Sequence, residues 1–335
     1  MIDGKIIIPT SGGYDSRLLN FLVRDRKRID SFTYGITNFS DLPSCEVAKA
    51  QRLSQLLGTS WKEIKLGNFH KYCREWFRLF GCSTHLHGMY QVEFYKKVAG
   101  EIKTKASLLS GIFGDVWNGK VEMEPINKHG DLPTLGYSHN ISLRGDSARF
   151  KTDHAARLKY FSEHKDQLNT AYLNPILTVR LKLILISYLM SIPDYFGIPS
   201  WTPFLNYKIV KSILSLNEAC RKKRSWQTKF YQKSGVWLES MGIKCTDLNT
   251  LNLEGNLSFP ISPLDQETLK TLIKKKCLKR VQANYTLLNK YPNRDISKLP
   301  WPFNRAYKNK MDPYSHMLIL KSLELTLKFL ETKHY

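Results

Sequence analysis

Two short polar turns, each placed after a hydrophobic stretch, hold the residues of this sequence best suited to chemistry. The first follows Lys5–Pro9 and reads Ser11-Gly12-Gly13-Tyr14-Asp15-Ser16-Arg17. Glycines allow a tight turn with positive φ, and the backbone N–H groups at the start of the next helix attract an anion. For Gly12-Gly13 alone an ordinary strand-to-helix turn is the favoured alternative. The full string after a hydrophobic strand favours a phosphate site.

The second turn has the same character and follows Ala106–Leu109. It consists of small residues and then an acid, in the order Ser110-Gly111-Ile112-Phe113-Gly114-Asp115. Such a turn carries little information by itself. It becomes informative beside the first turn, because two loops at the carboxyl ends of parallel strands meet at one edge of a sheet.

Alternating hydrophobic and polar segments predict the elements that position these turns. The β-branched run at Lys5–Pro9 is typical of a strand buried on both faces, and Asp15 or Ser16 is predicted to cap the helix after it. Further segments are predicted as strands at Ser31–Gly35, Trp61–Leu66 and Ala106–Leu109, with a helix over Asp41–Leu57. Alternating strands and helices predict an α/β fold with a parallel sheet.

The rest of the chain is predicted to be mainly helical. Residues 68–100 form two helical pieces broken near Gly81–Gly88, where His85 and His87 favour a substrate contact or loop structure over a metal site. Residues 120–150 are rich in glycine and polar residues, which is typical of an active-site loop or a surface excursion. Arg180–Tyr195 is predicted as a buried helix and Leu318–Leu330 as a terminal amphipathic helix.

The composition limits the possible partners. The 335 residues carry a formal net charge of +22, which attracts ATP, nucleotide sugars, RNA or anionic lipid; a lysine-rich solvated surface is the alternative. No window is apolar enough for a transmembrane helix, and no signal peptide pattern is present. The six cysteines lack any Cys-x-x-Cys spacing, so free buried thiols in a reducing cytoplasm are expected.

These motifs resemble the PP-loop ATP pyrophosphatase superfamily, and within it the asparagine-synthase domain. The first turn resembles the pyrophosphate loop, the second resembles Ser-Gly-x-Gly-x-Asp-Glu, and residues 198–206 resemble the segment Arg-x-Pro-Phe-Leu-Asp. Thr202 and Asn206 replace the arginine and the aspartate of that segment, and Ile112 stands where relatives carry a glutamate. The resemblance covers residues 5 to 235 and includes no glutaminase domain.

The resemblance implies a fold and a division of the chain. The fold is an adenine nucleotide α-hydrolase-like five-stranded parallel sheet with flanking helices, followed by a mainly helical C-terminal region. Residues 1–120 would form the nucleotide-binding core, 121–235 the helical part of the synthetase domain, and 236–335 a C-terminal helical extension of unknown role.

The resemblance also implies an activity with ATP and Mg²⁺. Relatives attack the α-phosphorus of ATP with a carboxylate, release pyrophosphate and pass the acyl group to an amine. Asp15 and Asp115 would be catalytic and hold the metal, and Lys229 would contact the α-phosphate, with Lys222, Lys223 and Lys244 as alternatives. The nucleotide would contact a larger set, namely Ser11, Gly12, Gly13, Tyr14, Asp15, Ser16, Arg17, Tyr34, Gly35, Ser110 and Gly111. For Arg17, an exposed helix residue is an equal alternative to a phosphate or substrate contact.

The predicted function is therefore an ATP-dependent carboxylate–amine ligase in the cytoplasm. Its substrate would be an acidic small molecule or sugar, such as a uronic acid of a bacterial surface polysaccharide. Its nitrogen would come from an amine or ammonia donor, supplied in one version by a separate glutaminase subunit. Two alternatives stay open: a PP-loop enzyme that adenylates a tRNA base, which the basic charge favours, and a nucleotide-binding homologue without activity.

Overall fold

The structure, a computed structural model of the chain, divides into two compact units. It describes residues 4–37, 40–81, 86–119, 125–135, 153–170, 179, 189–290 and 313–332. The first unit draws on the described residues of 1–65, 94–137 and 153–249, and the second on those of 66–93 and 250–335.

A five-stranded parallel sheet forms the centre of the first unit, as predicted. Its strands are β1 (Lys5–Pro9), β2 (Ile29–Tyr34), β3 (Ser60–Ile64), β4 (Ala106–Leu109) and β5 (Ser200–Trp201). Their order in the sheet is β3-β2-β1-β4-β5. The central strand β1 pairs with both β2 and β4, so that Ile7 lies opposite Asp30 on one side and Leu108 on the other. The carboxyl ends of β1 and β4 are therefore neighbours.

Helices flank this sheet. In chain order, the helices up to residue 233 are α1 (Tyr14–Leu22), α2 (Cys45–Leu57), α3 (Cys73–Phe80), α4 (Tyr90–Glu101), α5 (Gly114–Trp117), α6 (His154–His164), α7 (Tyr207–Leu214), α8 (Glu218–Arg221) and α9 (Ser225–Lys233); of these, α3 belongs to the second unit. Helix α2 begins four residues later than predicted, after Pro43, because the residue before a proline is disfavoured in helical conformation. The buried core of this unit includes Ile8 and Leu19, at 0% and 4% exposure, together with Leu53, Phe113 and Phe204.

The second unit is helical where it is described. It contains α3, and after it α10 (Leu251–Ser258), α11 (Gln266–Leu269), α12 (Lys275–Lys290) and α13 (Pro313–Thr332). Its core packs α12 against α13 through residues such as Leu278, Val281, Met317 and Leu320. The predicted terminal helix is confirmed and extends further at both ends.

Two expectations about the remaining chain have different outcomes. Among the described residues, no helix is long and apolar enough to cross a membrane. The expectation of free thiols throughout is wrong, because Cys45 and Cys245 form a disulfide that joins the start of α2 to a segment 200 residues later. Beside it, the backbone of Ser44 pairs with that of Thr246, which brings the two half-cystines together.

Some predicted features lie outside the described residues. They are His85, most of the 120–150 segment and residues 180–188 of the predicted buried helix. The described part of that helix, residues 189–195, is helical and buries Ile192 completely.

Candidate functional site

The turn after β1 is a compact strand-to-helix connection. Gly12 has a φ of +66°, and a Cβ at this position would overlap the side chain of Lys49 on α2, so only glycine fits. Gly13 is the residue before α1, so the prediction that Asp15 or Ser16 caps the helix is wrong. Both residues already lie in its first turn, and the Ser16 hydroxyl donates to the Gly13 carbonyl at 3.3 Å.

The second turn packs directly against the first at Asp15. A Cβ on Gly111 would lie 3.2 Å from the Asp15 Cβ, and a Cβ on Gly114 would overlap the Asp15 carboxyl group. Phe113, between them, adopts a φ of +69° with its ring fully buried. Gly111 and Gly114 therefore allow the close approach of the two loops that the sequence predicts. This approach places Asp115 near enough to Asp15 for the two carboxylates to interact electrostatically.

The Asp15 side chain is 14% exposed and is surrounded by donors. Its Oδ2 accepts a hydrogen bond of 2.8 Å from the Arg224 guanidinium. Its Oδ1 accepts longer bonds from the side-chain amides of Asn118 at 3.3 Å and Gln227 at 3.4 Å. Burial raises the pKa of Asp15, the Arg224 charge opposes this, and the nearby Asp115 carboxylate raises the pKa further.

One face of α9 supplies much of this environment. Gln227, Thr228 and Tyr231 lie on one side of the helix, and Arg224 is the residue immediately before it. Tyr231, like Gln227, is fully buried, and its hydroxyl donates to the Tyr14 carbonyl. Burial raises the pKa of the Tyr231 phenol, and the charge of Asp15 adds to this.

Lys229 lies on the other side of α9 and is exposed. The cation that the structure brings to Asp15 is Arg224, which is 8% exposed. Arg224 and Lys223 both have positive φ, at +59° and +52°, a conformation that costs free energy in residues other than glycine. Lys222 and Lys223, two of the alternatives to Lys229, are exposed as well.

The Tyr14 ring lies beside two guanidinium groups. The Cζ atoms of Arg17 and Arg224 are 5.4 and 5.1 Å from the ring centroid, within the range of cation–π attraction. Its hydroxyl forms a hydrogen bond of 3.0 Å with Thr228. Tyr14 thus connects the first turn to α9.

Arg17 is completely buried, so the expectation that it is an exposed helix residue is wrong. Its guanidinium forms two hydrogen bonds of 2.8 and 2.9 Å with Glu239 and donates to the Gly12 carbonyl at 2.7 Å. A further bond of 3.3 Å reaches the Val236 carbonyl. Arg17 therefore stabilises the conformation of the first turn, and its guanidinium N–H groups donate to other groups of the protein.

The other predicted nucleotide contacts lie at the ends of β2 and β4. Tyr34 is half-buried and packs edge-on against Phe94, and Gly35 follows it at the strand end. The Ser110 amide donates to the Trp201 carbonyl at 2.8 Å and its hydroxyl accepts from the Ile112 amide at 3.3 Å. These contacts join the second turn to β5.

The residues around Asp15 include oxygen atoms that fit a hard cation. Asn118 and Gln227 are fully buried, yet Oδ1 of the first and Oε1 of the second accept no hydrogen bond. Unsatisfied buried acceptors are rare and call for a partner. Both amides turn their nitrogens toward Asp15. The carboxylates of Asp15 and Asp115 are oxygen donors of the kind Mg²⁺ prefers. Within the described chain, no group of three or more His, Cys, Asp or Glu side chains gathers for a metal.

Four residues of this site that contact the first turn were not predicted from the sequence: Asn118, Arg224, Gln227 and Tyr231. The signal for the α9 residues is the spacing of polar and aromatic side chains at positions 224, 227, 228 and 231, next to the basic cluster at 221–224. That cluster is noticeable by charge alone, but charge does not tell which of its members are buried.

Comparisons of the chain with models of known protein families and with characterised proteins found no match.

Proposed function

We propose that this protein is an ATP-dependent carboxylate–amine ligase that forms AMP and pyrophosphate. The single observation that carries the proposal is the contact between the two polar turns at Asp15. It places two carboxylates, a buried guanidinium and a helix N-terminus at the carboxyl ends of adjacent parallel strands, where α/β sheets bind ligands.

In the proposed reaction, a substrate carboxylate oxygen attacks the α-phosphorus of ATP, and the bond to pyrophosphate breaks. An amine then attacks the acyl carbon, loses a proton, and AMP leaves. The N–H groups at the start of α1 would receive the departing pyrophosphate. Arg224, rather than Lys229, is the cation we assign to the negative charge that develops on the phosphate.

Mg²⁺ would be held by the carboxylates of Asp15 and Asp115. When bound, such an ion neutralises phosphate charge. The protein's own part is to keep these oxygens in place, which Arg224 does for Asp15 through their ion pair. Nucleotide contacts at Tyr34, Gly35, Ser110 and Gly111 remain part of the proposal.

The substrate we propose is an acidic sugar or another anionic small molecule, with an amine or with ammonia from a separate glutaminase as the nitrogen donor. The formal net charge of +22 supports an anionic substrate. We propose a cytoplasmic location because ATP is supplied there.

A pyrophosphate-release assay tests the proposal. The protein is incubated with MgATP, ammonia and a panel of uronic acids, sugar nucleotides and acidic amino acids, and pyrophosphate and AMP are measured. Asp115→Asn keeps the size of a half-buried side chain and should lower the rate about 10²-fold or more. Asp166→Asn, on an exposed residue of the same unit, is the matched control and should leave the rate unchanged.

Other outcomes favour other functions. Release of ADP and phosphate would contradict the proposal. Tight tRNA binding that weakens steeply with salt would favour the enzyme that adenylates a tRNA base. If calorimetry detects no heat of MgATP binding, the result would favour the alternative that the protein is a homologue that lacks catalytic activity.

A further inference from the structure

Two histidines of the first unit, neither belonging to the group around Asp15, face each other through their ring nitrogens. The Nε2 atoms of His129 and His154 are 3.1 Å apart, and the ring centroids are 4.7 Å apart with the ring planes at 76°. His129 begins the 3₁₀ helix His129–Leu135, and His154 is the first residue of α6. The pair thus joins two elements that are 25 residues apart in sequence.

The spacing of these nitrogens suits one metal ion. Imidazole nitrogens bind Zn²⁺ at about 2.0–2.1 Å. If the N–Zn–N angle lies between a right angle and the tetrahedral angle, the two nitrogens are about 2.9–3.4 Å apart. The observed 3.1 Å falls within this range. His154 is exposed and His129 is half-buried, so solvent reaches the pair from the side of His154.

Local hydrogen bonds hold both histidines in place. The Asp131 carboxylate accepts bonds of 3.1 Å from the backbone amides of Asn127 and Lys128, which precede His129. Asp153 caps α6 by accepting a bond of 2.9 Å from the Ala156 amide. Each imidazole therefore belongs to a turn whose backbone is fastened by a neighbouring carboxylate, and this lowers the entropy lost when a ligand binds.

The two elements are also packed together. Asn169 forms two hydrogen bonds with the backbone of Ile126, of 2.9 and 3.1 Å. Ile126, Leu132 and Leu168 form a small buried cluster between the 3₁₀ helix and the segment that follows α6, with Phe161 of α6 packed against it. This cluster fixes the separation of the two rings by contacts other than the histidines themselves.

We propose that His129 and His154 form a binding site for a divalent transition-metal ion of the Zn²⁺ or Cu²⁺ type. Imidazole is a preferred ligand of such ions, whereas Mg²⁺ and Ca²⁺ prefer oxygen. Water completes the coordination, since the described residues place no third histidine, cysteine or carboxylate in such a group. The bound ion joins the 3₁₀ helix to α6 and stabilises this part of the first unit.

Titration of the full-length protein with ZnCl₂ and CuCl₂ in an isothermal calorimeter tests the site. Thiols are alkylated beforehand, because Cys220 is free and exposed and thiolates bind the same ions. Loss of an outer-shell partner of a metal ligand weakens metal binding about 10- to 100-fold. His129→Gln and His154→Gln each remove a ligand itself, so each should weaken binding by more than that. His164→Gln is the matched control. His164 is half-buried, stacks on Tyr160 and donates from its Nδ1 to the Tyr160 carbonyl, but it lies outside the pair.

A second measurement locates the ion without using the variants. Zn²⁺ should slow amide hydrogen exchange in residues 125–135 and 154–164, and a chelator should reverse the effect, because an ion that binds only the folded form stabilises it. The proposal is overturned if the wild type binds neither ion in stoichiometric amount, or if the His129 and His154 variants bind as tightly as the wild type and the control. In those cases the two rings share only a hydrogen bond.

Discussion

The ion pair between the buried Arg17 and the partly exposed Glu239 is the contact on which the shape of the phosphate turn most depends. Glu239→Gln removes the negative charge and keeps the size of the side chain. The Arg17 guanidinium, completely buried, would then lack its counter-charge while it still bonds to the Gly12 and Val236 carbonyls.

The expected loss can be bracketed. Breaking a fully buried ion pair by removing one partner costs about 3–5 kcal/mol. The Glu239 side chain keeps 30% of its exposure, so water compensates part of this, and about 2–3 kcal/mol is expected. For a domain of about 150–250 residues this corresponds to a Tm lower by about 4–12 °C.

The loss should depend on pH. Burial by itself raises the pKa of Glu239, but the hydrogen bonds and charge of Arg17 outweigh it and lower the pKa below the ordinary 4.5. A carboxyl whose pKa is lower in the folded state contributes stability above its unfolded pKa and loses it as the pH falls through the folded one. The difference between wild type and variant should be full at pH 7 and shrink as the pH falls below about 4.5.

Thermal and urea unfolding of both proteins across this pH range is the assay. Glu101→Gln is the control, because Glu101 forms an exposed ion pair with Lys62 and its loss should cost about 0–1 kcal/mol. A Glu239 variant no less stable than the control, or a difference that does not change with pH, would refute the role given to this pair.

Three further predictions concern the same unit. Gly114→Ala should lower the free energy of unfolding by about 1–3 kcal/mol and reduce pyrophosphate release, because its Cβ overlaps the Asp15 carboxylate. The control is Gly100→Ala in α4, where the new Cβ meets no atom. In unfolding assays it should be neutral or stabilising by up to about 1 kcal/mol. Arg224→Met should lower pyrophosphate release about 10²-fold or more, whereas Lys229→Met, at an exposed position of α9, should not. Equal effects would contradict the assignment of Arg224. Cys45→Ser should lower the free energy of unfolding by about 2–5 kcal/mol relative to the oxidised wild type, and a reductant should remove that difference.

Local patterns were sufficient to predict four of the five strands of the sheet. The predicted strand at Ala106–Leu109 has the observed bounds, and the strand at Lys5–Pro9 does as well. A strand and the turn after it depend on burial and backbone conformation within a few residues. Hydrophobic runs and glycine-containing turns indicate both properties directly. The fifth strand, Ser200–Trp201, is too short to show any such pattern.

The side-chain pairs of the candidate site were not predictable in this way. Asp15 and Arg224 are 209 positions apart, and Arg17 and Glu239 are 222 positions apart. A charged residue in a basic cluster looks the same in the sequence whether it is buried or exposed. The resemblance implies a lysine, Lys229, whereas the cation that contacts Asp15 is Arg224, the residue immediately before α9.

The sequence by itself determined where the two chemically important turns lie and that parallel strands carry them. Their glycines, their acids and the hydrophobic runs before them are all local features. Only the tertiary structure decided which side chains meet Asp15, that Arg17 supports the turn from behind, and that two distant cysteines are bonded. These depend on the approach of segments about two hundred residues apart, where burial and charge pairing act between neighbours in space.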